Sequence, residues 1–239
     1  MRIPENWMDR HGNVSLCYER IEPSYFVRES VGDFDLKLFY ELPRDGFTYG
    51  CSPPDVLKVL RAAAPSIPNL PDMLAFRQPT RKQRQLRPVW GRFLYFAEFG
   101  AHEGTAIVLE AQEIGAPISW SKRMSLDDQA ELDRLRIDGH VFNETKRTFD
   151  ALLSAQTIRS TILFRTLLPE IGHLAQYHEE VLDEAKALDA DYDIARELYF
   201  SKPSSEREVY AHKFAEQLAA NLWSSGAIPF ETLGFAPYR

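Results

Sequence analysis

The sequence predicts an α+β protein, with a small mixed β-sheet and a few helices in its first half and a helical second half. Three observations carry this prediction. Residues 34–43, "FDLKLFYELP", alternate apolar and polar side chains as a half-buried strand does. Two apolar runs, 91–100 and 104–114, are joined by Gly100-AHE-Gly104 and read as a β-hairpin. From residue 154 onward the apolar spacing is helical to about 188, with further helices over 191–200 and 204–224. A soft boundary near residue 120 separates a mixed region, 1–120, from a helical module, 121–239.

The remaining elements follow in order. In "SPPDVLKVLRAAAPSIPNLP" (52–71), Ser52 or Asp55 caps a helix over 55–64, and the following prolines stop it. In "PTRKQ", Thr80 leads into a short helix over 81–87. "SLDDQAELDRLRIDGH" (125–140) has Ser125 as N-cap, acids in its first turn and Gly139 as its stop. "NETKRTFDALL" (143–153) reads as a short strand with a turn. The helix over 204–224 opens on "SSERE" and closes before Gly226.

Composition narrows the function classes. The net charge of −7 does not favour wholesale nucleic-acid binding, but leaves room for a local basic patch. The only cysteines, Cys17 and Cys51, lie in apolar, aromatic-rich surroundings. They read as reduced thiols of a cytoplasmic protein, and two are too few for a zinc ribbon. The N-terminal "MRIPENWMDRHGNV" carries charges and a proline where a signal peptide needs an apolar run. No apolar run approaches the ~20 residues of a membrane span, so no membrane partner is expected. The sequence has no phosphate-cradling glycine loop, G-x-S-x-G elbow or Cys-His arrangement, which leaves kinase, Rossmann and hydrolase readings unsupported. His11 and His140 have no partner in sequence, and His102-Glu103 reads as a hairpin tip.

The segment that carries chemistry is "TLLPEIGHLAQYHEE" (166–180). With histidine in place of Pro169 it would read H-E-I-G-H. Two histidines four apart share a helix face and reach one zinc ion, while the glutamate after the first acts as general base for the zinc-bound water. Here Glu170 holds the base position and His173 the second-ligand position. Downstream, "EREVYAHKFAEQL" (206–218) puts Glu208 and His212 four apart on one face.

These residues resemble the minimal zincin metallopeptidases. The pairing of "PEIGH" with "SEREVYAHKFA", preceded by "RQPTRKQ" and "PVWGR", is similar to a bacterial branch of that family. The resemblance implies a peptide substrate, a zinc cofactor, Glu170 as catalytic base and His173 with Glu208 as metal ligands. It also implies that "GTAIVLEA" is an edge strand that pairs with substrate. The chain departs from the family at Pro169, which cannot bind zinc, lacks an N–H and crowds the carbonyl of Arg165. The helix then either kinks there or restarts with Thr166 as cap and Pro169 in its first turn. Zinc is expected to be weakly held or absent. His212 is the best substitute ligand, whereas His178 is five residues past His173 and about 140° round the helix from it.

Two readings therefore stand: a zincin-type peptidase with impaired activity, and an inactive peptide- or protein-binding module in which Glu170 pairs with an arginine such as Arg165. A third attaches to "RQPTRKQRQLRPVWGR" (77–92), where Arg77, Arg81, Lys82, Arg84 and Arg87 could bind nucleic acid or another anion beside Trp90. The plainer alternative for that segment is a set of arginines paired with acids elsewhere.

Overall fold

The computed structural model describes residues 7–8, 14–15, 21, 23–86, 89–183 and 192–235. His11, Cys17, Arg87 and the expected helix end near 188 lie outside them. The chain is α+β, with a mixed sheet in the first half and helices in the second.

The main sheet has five strands: β3 (Tyr25–Val31), β4 (Phe34–Tyr40), β6 (Met73–Arg77), β7 (Gly91–Phe99) and β8 (His102–Glu110). Their spatial order is β3-β4-β6-β8-β7. Two antiparallel hairpins, β3–β4 and β7–β8, flank β6, which runs parallel to both β4 and β8. Two short pairs join β1 (Trp7–Met8) to β2 (Val14–Ser15), and β5 (Phe47–Thr48) to β9 (Gln112–Glu113). The parallel step from β4 to β6 requires a crossover, supplied by α1 (Pro53–Ala63). Ser52 and Asp55 start that helix together as a reciprocal capping box, with prolines in the first two helical positions. A second capping pair, Thr80 with Gln83, opens α2 (Arg81–Leu86).

After the main sheet come β10 (Pro117–Ser121), α3 (Leu126–Ile137), β11 (Asn143–Glu144) and β12 (Thr148–Leu152). The three strands form an antiparallel sheet of order β10-β12-β11. Ser125 and Asp128 make the predicted cap of α3, and Gly139, at φ +95°, ends it. A nearly continuous helix follows: α4 (Ala155–Ser160), a wide π-turn (Thr161–Thr166), α5 (Leu167–Tyr177) and a second π-turn (His178–Asp183). Two further helices are α6 (Tyr192–Ser201) and α7 (Ser204–Ser224).

One apolar core joins the two halves. Leu38, Leu74, Phe76, Ile107 and Leu109 of the sheet meet Leu60 of α1, Ile162, Leu163, Leu168 and Ile171 of the long helix, and Leu218 and Leu222 of α7. The opposite face of the sheet carries a smaller cluster around Phe39, Met73, Val108 and Phe99. His102, expected at the hairpin tip, begins β8 and stacks on Phe26 with ring centroids 4.9 Å apart.

A buried ion pair ties α1 to α4. Arg159 donates to both carboxylate oxygens of Asp55, at 2.6 and 3.4 Å. Asp55 also accepts the amides of Ser52 and Leu233, and Arg159 donates to the carbonyl of Phe230. The loop before α1 reaches this point because residue 50 is glycine, with φ +66° and a Cβ position only 2.5 Å from the Arg159 amide nitrogen.

Candidate functional site

Pro169 lies in the first turn of α5 and is buried. Of the two escapes open to it, the second is the closer, with one difference. The helix does not restart from a capped end, because Thr166 has helical dihedrals and its side chain makes no capping bond. The preceding turn widens instead: the Leu167 amide bonds the carbonyl of Ile162, five residues back. The carbonyl of Arg165, which a proline at 169 would crowd, belongs to that wide turn. The proline is absorbed without breaking the helix.

α5 lies against β7 and β8 on one side and α7 on the other. Gly172 sets the second contact. A Cβ on it would come within 2.7 Å of the Ala211 carbonyl oxygen and 2.9 Å of its Cα. Only glycine allows this approach, and it brings the side chains on either side of the crossing together. Gly172→Val is expected to push α5 and α7 apart, costing roughly 1–3 kcal/mol by overpacking. Chemical denaturation should show this as a lowered midpoint, and the imidazole signal of His173 should shift with it.

His173 Nε2 lies 3.5 Å from Glu208 Oε2. Its other ring nitrogen, Nδ1, is buried and has no hydrogen-bond partner. Glu208 is mostly exposed, and its hydrogen bond to His173 holds its carboxyl below the usual range. Glu170 turns to β7 and accepts the backbone N–H of Phe93 at 2.7 Å. Burial pushes its carboxyl up to about 7, against the lowering influence of His173 and the Phe93 amide. His212 is near enough to feel the charges of Glu208 and His173, but burial and the Arg134 guanidinium hold its pKa below the ordinary histidine value. His178 bonds Asp183 at 3.3 Å instead of joining the group.

Several expectations are corrected here. Arg165 does not pair with Glu170. It donates to Asp138 at 2.9 Å, while Glu170 turns to the Phe93 amide of β7. "GTAIVLEA" is not an edge strand. It lies in β8, between β6 and β7, and β7 is the strand that ends the sheet beside α5. Tyr95 of β7, unnoticed in the sequence, is close enough to Glu170 and Glu208 for their charges to act on it, and it bonds the buried Tyr199 hydroxyl at 3.0 Å. No local pattern singles it out, because the carboxylates that act on it lie far along the chain on α5 and α7.

The basic segment does not form one surface. Arg77 is in the middle of the sheet at 2% exposure, Arg84 pairs with Glu113 at 2.5 Å, and Arg92 pairs with Glu110 at 3.0 Å. Arg81 and Lys82 remain exposed. Trp90 packs on the core, edge-on to His140, rather than standing free for stacking.

A zincin-type catalytic centre takes three protein donors and leaves one position open. This helix pair brings two donors together, His173 and Glu208, with proline where the third would stand. Among the described residues, no three His, Cys, Asp or Glu side chains group closely enough to hold a metal ion. The side chains present do not fit a catalytic zinc. The comparison with protein-family models finds no match, and neither do those with curated proteins and with solved structures.

The Glu170 carboxyl gives a pH signature. The folded state holds a proton that the unfolded chain, titrating near 4.5, has already released. Stability is therefore expected to fall as pH rises from about 4.5 towards 7 and then level off. Glu170→Gln retains the acceptor for Phe93 and should flatten that limb, as read by thermal melts across this range. An unchanged profile would contradict the buried carboxyl.

Proposed function

We propose that this chain is a degenerate zincin-type metallopeptidase-like protein, and that it holds an extended peptide or a partner's strand without cutting it. The observation that supports the reading is the meeting of His173 and Glu208, 3.5 Å apart, from two helices separated by some thirty residues of chain. In a family site, these two positions would hold zinc and Glu170 would activate its water. Here the base is instead occupied by the outer edge of β7, through the Phe93 amide. The rest of the β7 edge, apart from the Phe93 amide that Glu170 already takes, is where a peptide would add as a further strand, with main-chain bonds supplying affinity. Tyr95 of that strand is near enough to Glu170 and Glu208 for their charges to act on it.

The reading places the protein in the cytoplasm, in keeping with the free thiol of Cys51, which is buried. No helix among the described residues is long and apolar enough to cross a membrane. A nucleic-acid role for residues 77–92 has less support, because Arg77, Arg84 and Arg92 are buried or paired.

The test is metal content together with peptide turnover and retention. Purified protein is expected to hold less than about a tenth of a zinc per chain, since losing a direct ligand should cost more than the 10- to 100-fold of outer-shell losses. It should leave a mixed peptide library uncut while retaining a subset of extended peptides. Stoichiometric zinc with hydrolysis would overturn the inactive reading, and failure to retain any peptide would overturn the binding role.

A further inference from the structure

Away from that helix pair, the small three-stranded sheet carries a second concavity. A pocket of about 460 Å³ is lined by Ser121, Lys122, Arg123, Lys146 and Arg147. Four of these five residues are cationic, in a chain whose net charge is −7. The volume falls in the range of small-ligand sites.

Two short stretches build it, the end of β10 and the turn entering β12. They are locked face to face by the backbone. The Lys122 amide donates to the Arg147 carbonyl at 2.8 Å, and Ser121 pairs with Thr148 across the strands. The turn is held from within: the Thr145 hydroxyl accepts the amides of Arg147 and Thr148, at 3.2 and 2.9 Å, and the Thr145 amide bonds the Thr148 carbonyl. On the other side, the Ser121 hydroxyl accepts the Arg123 amide at 3.1 Å. The backbone that presents the four cations is thus fixed before any ligand arrives.

Their charges are mostly unspent. Lys122 pairs with Glu144 and lies over the Phe149 ring. Arg123, Lys146 and Arg147 are exposed, and none forms an ion pair with a described residue. Like charges gathered on a rigid turn repel one another, and an anion placed among them relieves that repulsion. No aromatic ring lines the pocket, so it offers nothing on which a nucleobase would stack. Forked guanidiniums suit the paired oxygens of phosphate groups, and the lysines act as point charges beside them.

We propose that this pocket binds a polyphosphate group, either free or as the tail of a nucleotide, through Lys122, Arg123, Lys146 and Arg147 with the Ser121 hydroxyl as a neutral partner. The proposal does not depend on the peptidase-like reading of α5 and α7.

The experiment is titration calorimetry of the full chain with tripolyphosphate, ATP and AMP, in low salt and without added metal. Tripolyphosphate and ATP should bind alike, with AMP at least about tenfold weaker, because recognition is by the phosphate chain. Equal binding of the first two assigns the site to the polyphosphate itself, whereas a clear preference for ATP makes the nucleotide the source. Arg123→Ala combined with Arg147→Ala should weaken either ligand at least about tenfold. Both positions are exposed, so thermal melts should be unchanged. Raising ionic strength from roughly 0.05 to 0.2 M should weaken binding severalfold. Three results would overturn the proposal: no heat with millimolar tripolyphosphate, AMP binding as well as ATP, or full affinity in the double variant, which would put the anion on other cations such as Arg81 and Lys82.

Discussion

Asp55→Ala is expected to destabilise the protein by about 3–5 kcal/mol, the cost of leaving one member of a buried ion pair alone. The Asp55 carboxylate is inaccessible to water and satisfies four donors: two guanidinium nitrogens of Arg159 and the amides of Ser52 and Leu233. Removing it strands a guanidinium at 5% exposure, takes away one half of the capping box of α1 and removes one of the bonds that hold Leu233. Arg159→Ala should cost a similar amount, because it strands the carboxylate. For a chain of this length the melting temperature should drop by roughly 2–4 °C per kcal/mol, or about 6–20 °C, in scanning calorimetry. The double change Asp55→Leu with Arg159→Met should be milder than either single change, since no charge is left buried without a partner. A drop under about 1 kcal/mol for Asp55→Ala would show that the pair is not a keystone.

The same pair sets an acid limit. Burial opposes the charged form of Asp55, but the Arg159 hydrogen bond, the two amides and the Arg159 charge together hold its carboxyl below the usual range. A carboxyl depressed on folding contributes stability that is complete above its unfolded value near 3.9 and disappears as pH falls through the folded value. Acid unfolding of the wild type should therefore lose this contribution only below about pH 4. The Asp55→Ala variant should lack that part of the acid limb.

Pro169→His is expected to raise zinc affinity by at least about 100-fold, taking the purified protein from nearly metal-free to about one zinc per chain. Position 169 lies one helical turn before His173, so an imidazole there shares its face. On a tetrahedral zinc with bonds of about 2.0–2.1 Å, neighbouring donor atoms stand about 3.3 Å apart. The 3.5 Å between His173 Nε2 and Glu208 Oε2 is already close to that separation. The substitution also restores the amide that proline lacks. Metal analysis after dialysis and competition with a chromophoric chelator would read the change. His173→Ala in the same background should abolish the gain. If Pro169→His leaves metal content where it was, the zincin resemblance does not describe this helix pair.

Parts of this molecule could be read from neighbouring letters. Ser52 with Asp55 and Ser125 with Asp128 each announce a helix start, because an N-cap bond spans only three residues. Gly139 and Gly226, both at positive φ, mark helix ends that only glycine adopts without strain. The hairpin of β7 and β8 was visible in two apolar runs with glycines between them. Spacing alone puts Glu208 and His212 on one helix face, and the pairing of His173 with Glu208 is what the resemblance implies.

Structure departs from local pattern where the deciding partner is far along the chain. β8 became an interior strand because β6 adds to its free side, and nothing within residues 102–110 records that neighbour. By sequence Arg77 stands among surface cations, but β6 carries it between β4 and β8. Asp55 was visible as a cap but not as half of an ion pair, since Arg159 is 104 residues away. An arginine of its own helix is the nearest partner the sequence offers Glu170 in the inactive reading, whereas the bond it makes is to an amide of β7, 77 residues earlier.

By itself the sequence determined the class of fold and the helix ends marked by caps and glycines, because an N-cap bond and a glycine turn act within a few residues. The tertiary structure alone decided which strand stands at the edge, which charges are buried and what Glu170 touches. Those outcomes depend on burial and on hydrogen bonds between segments brought together by a shared core, which no local pattern encodes.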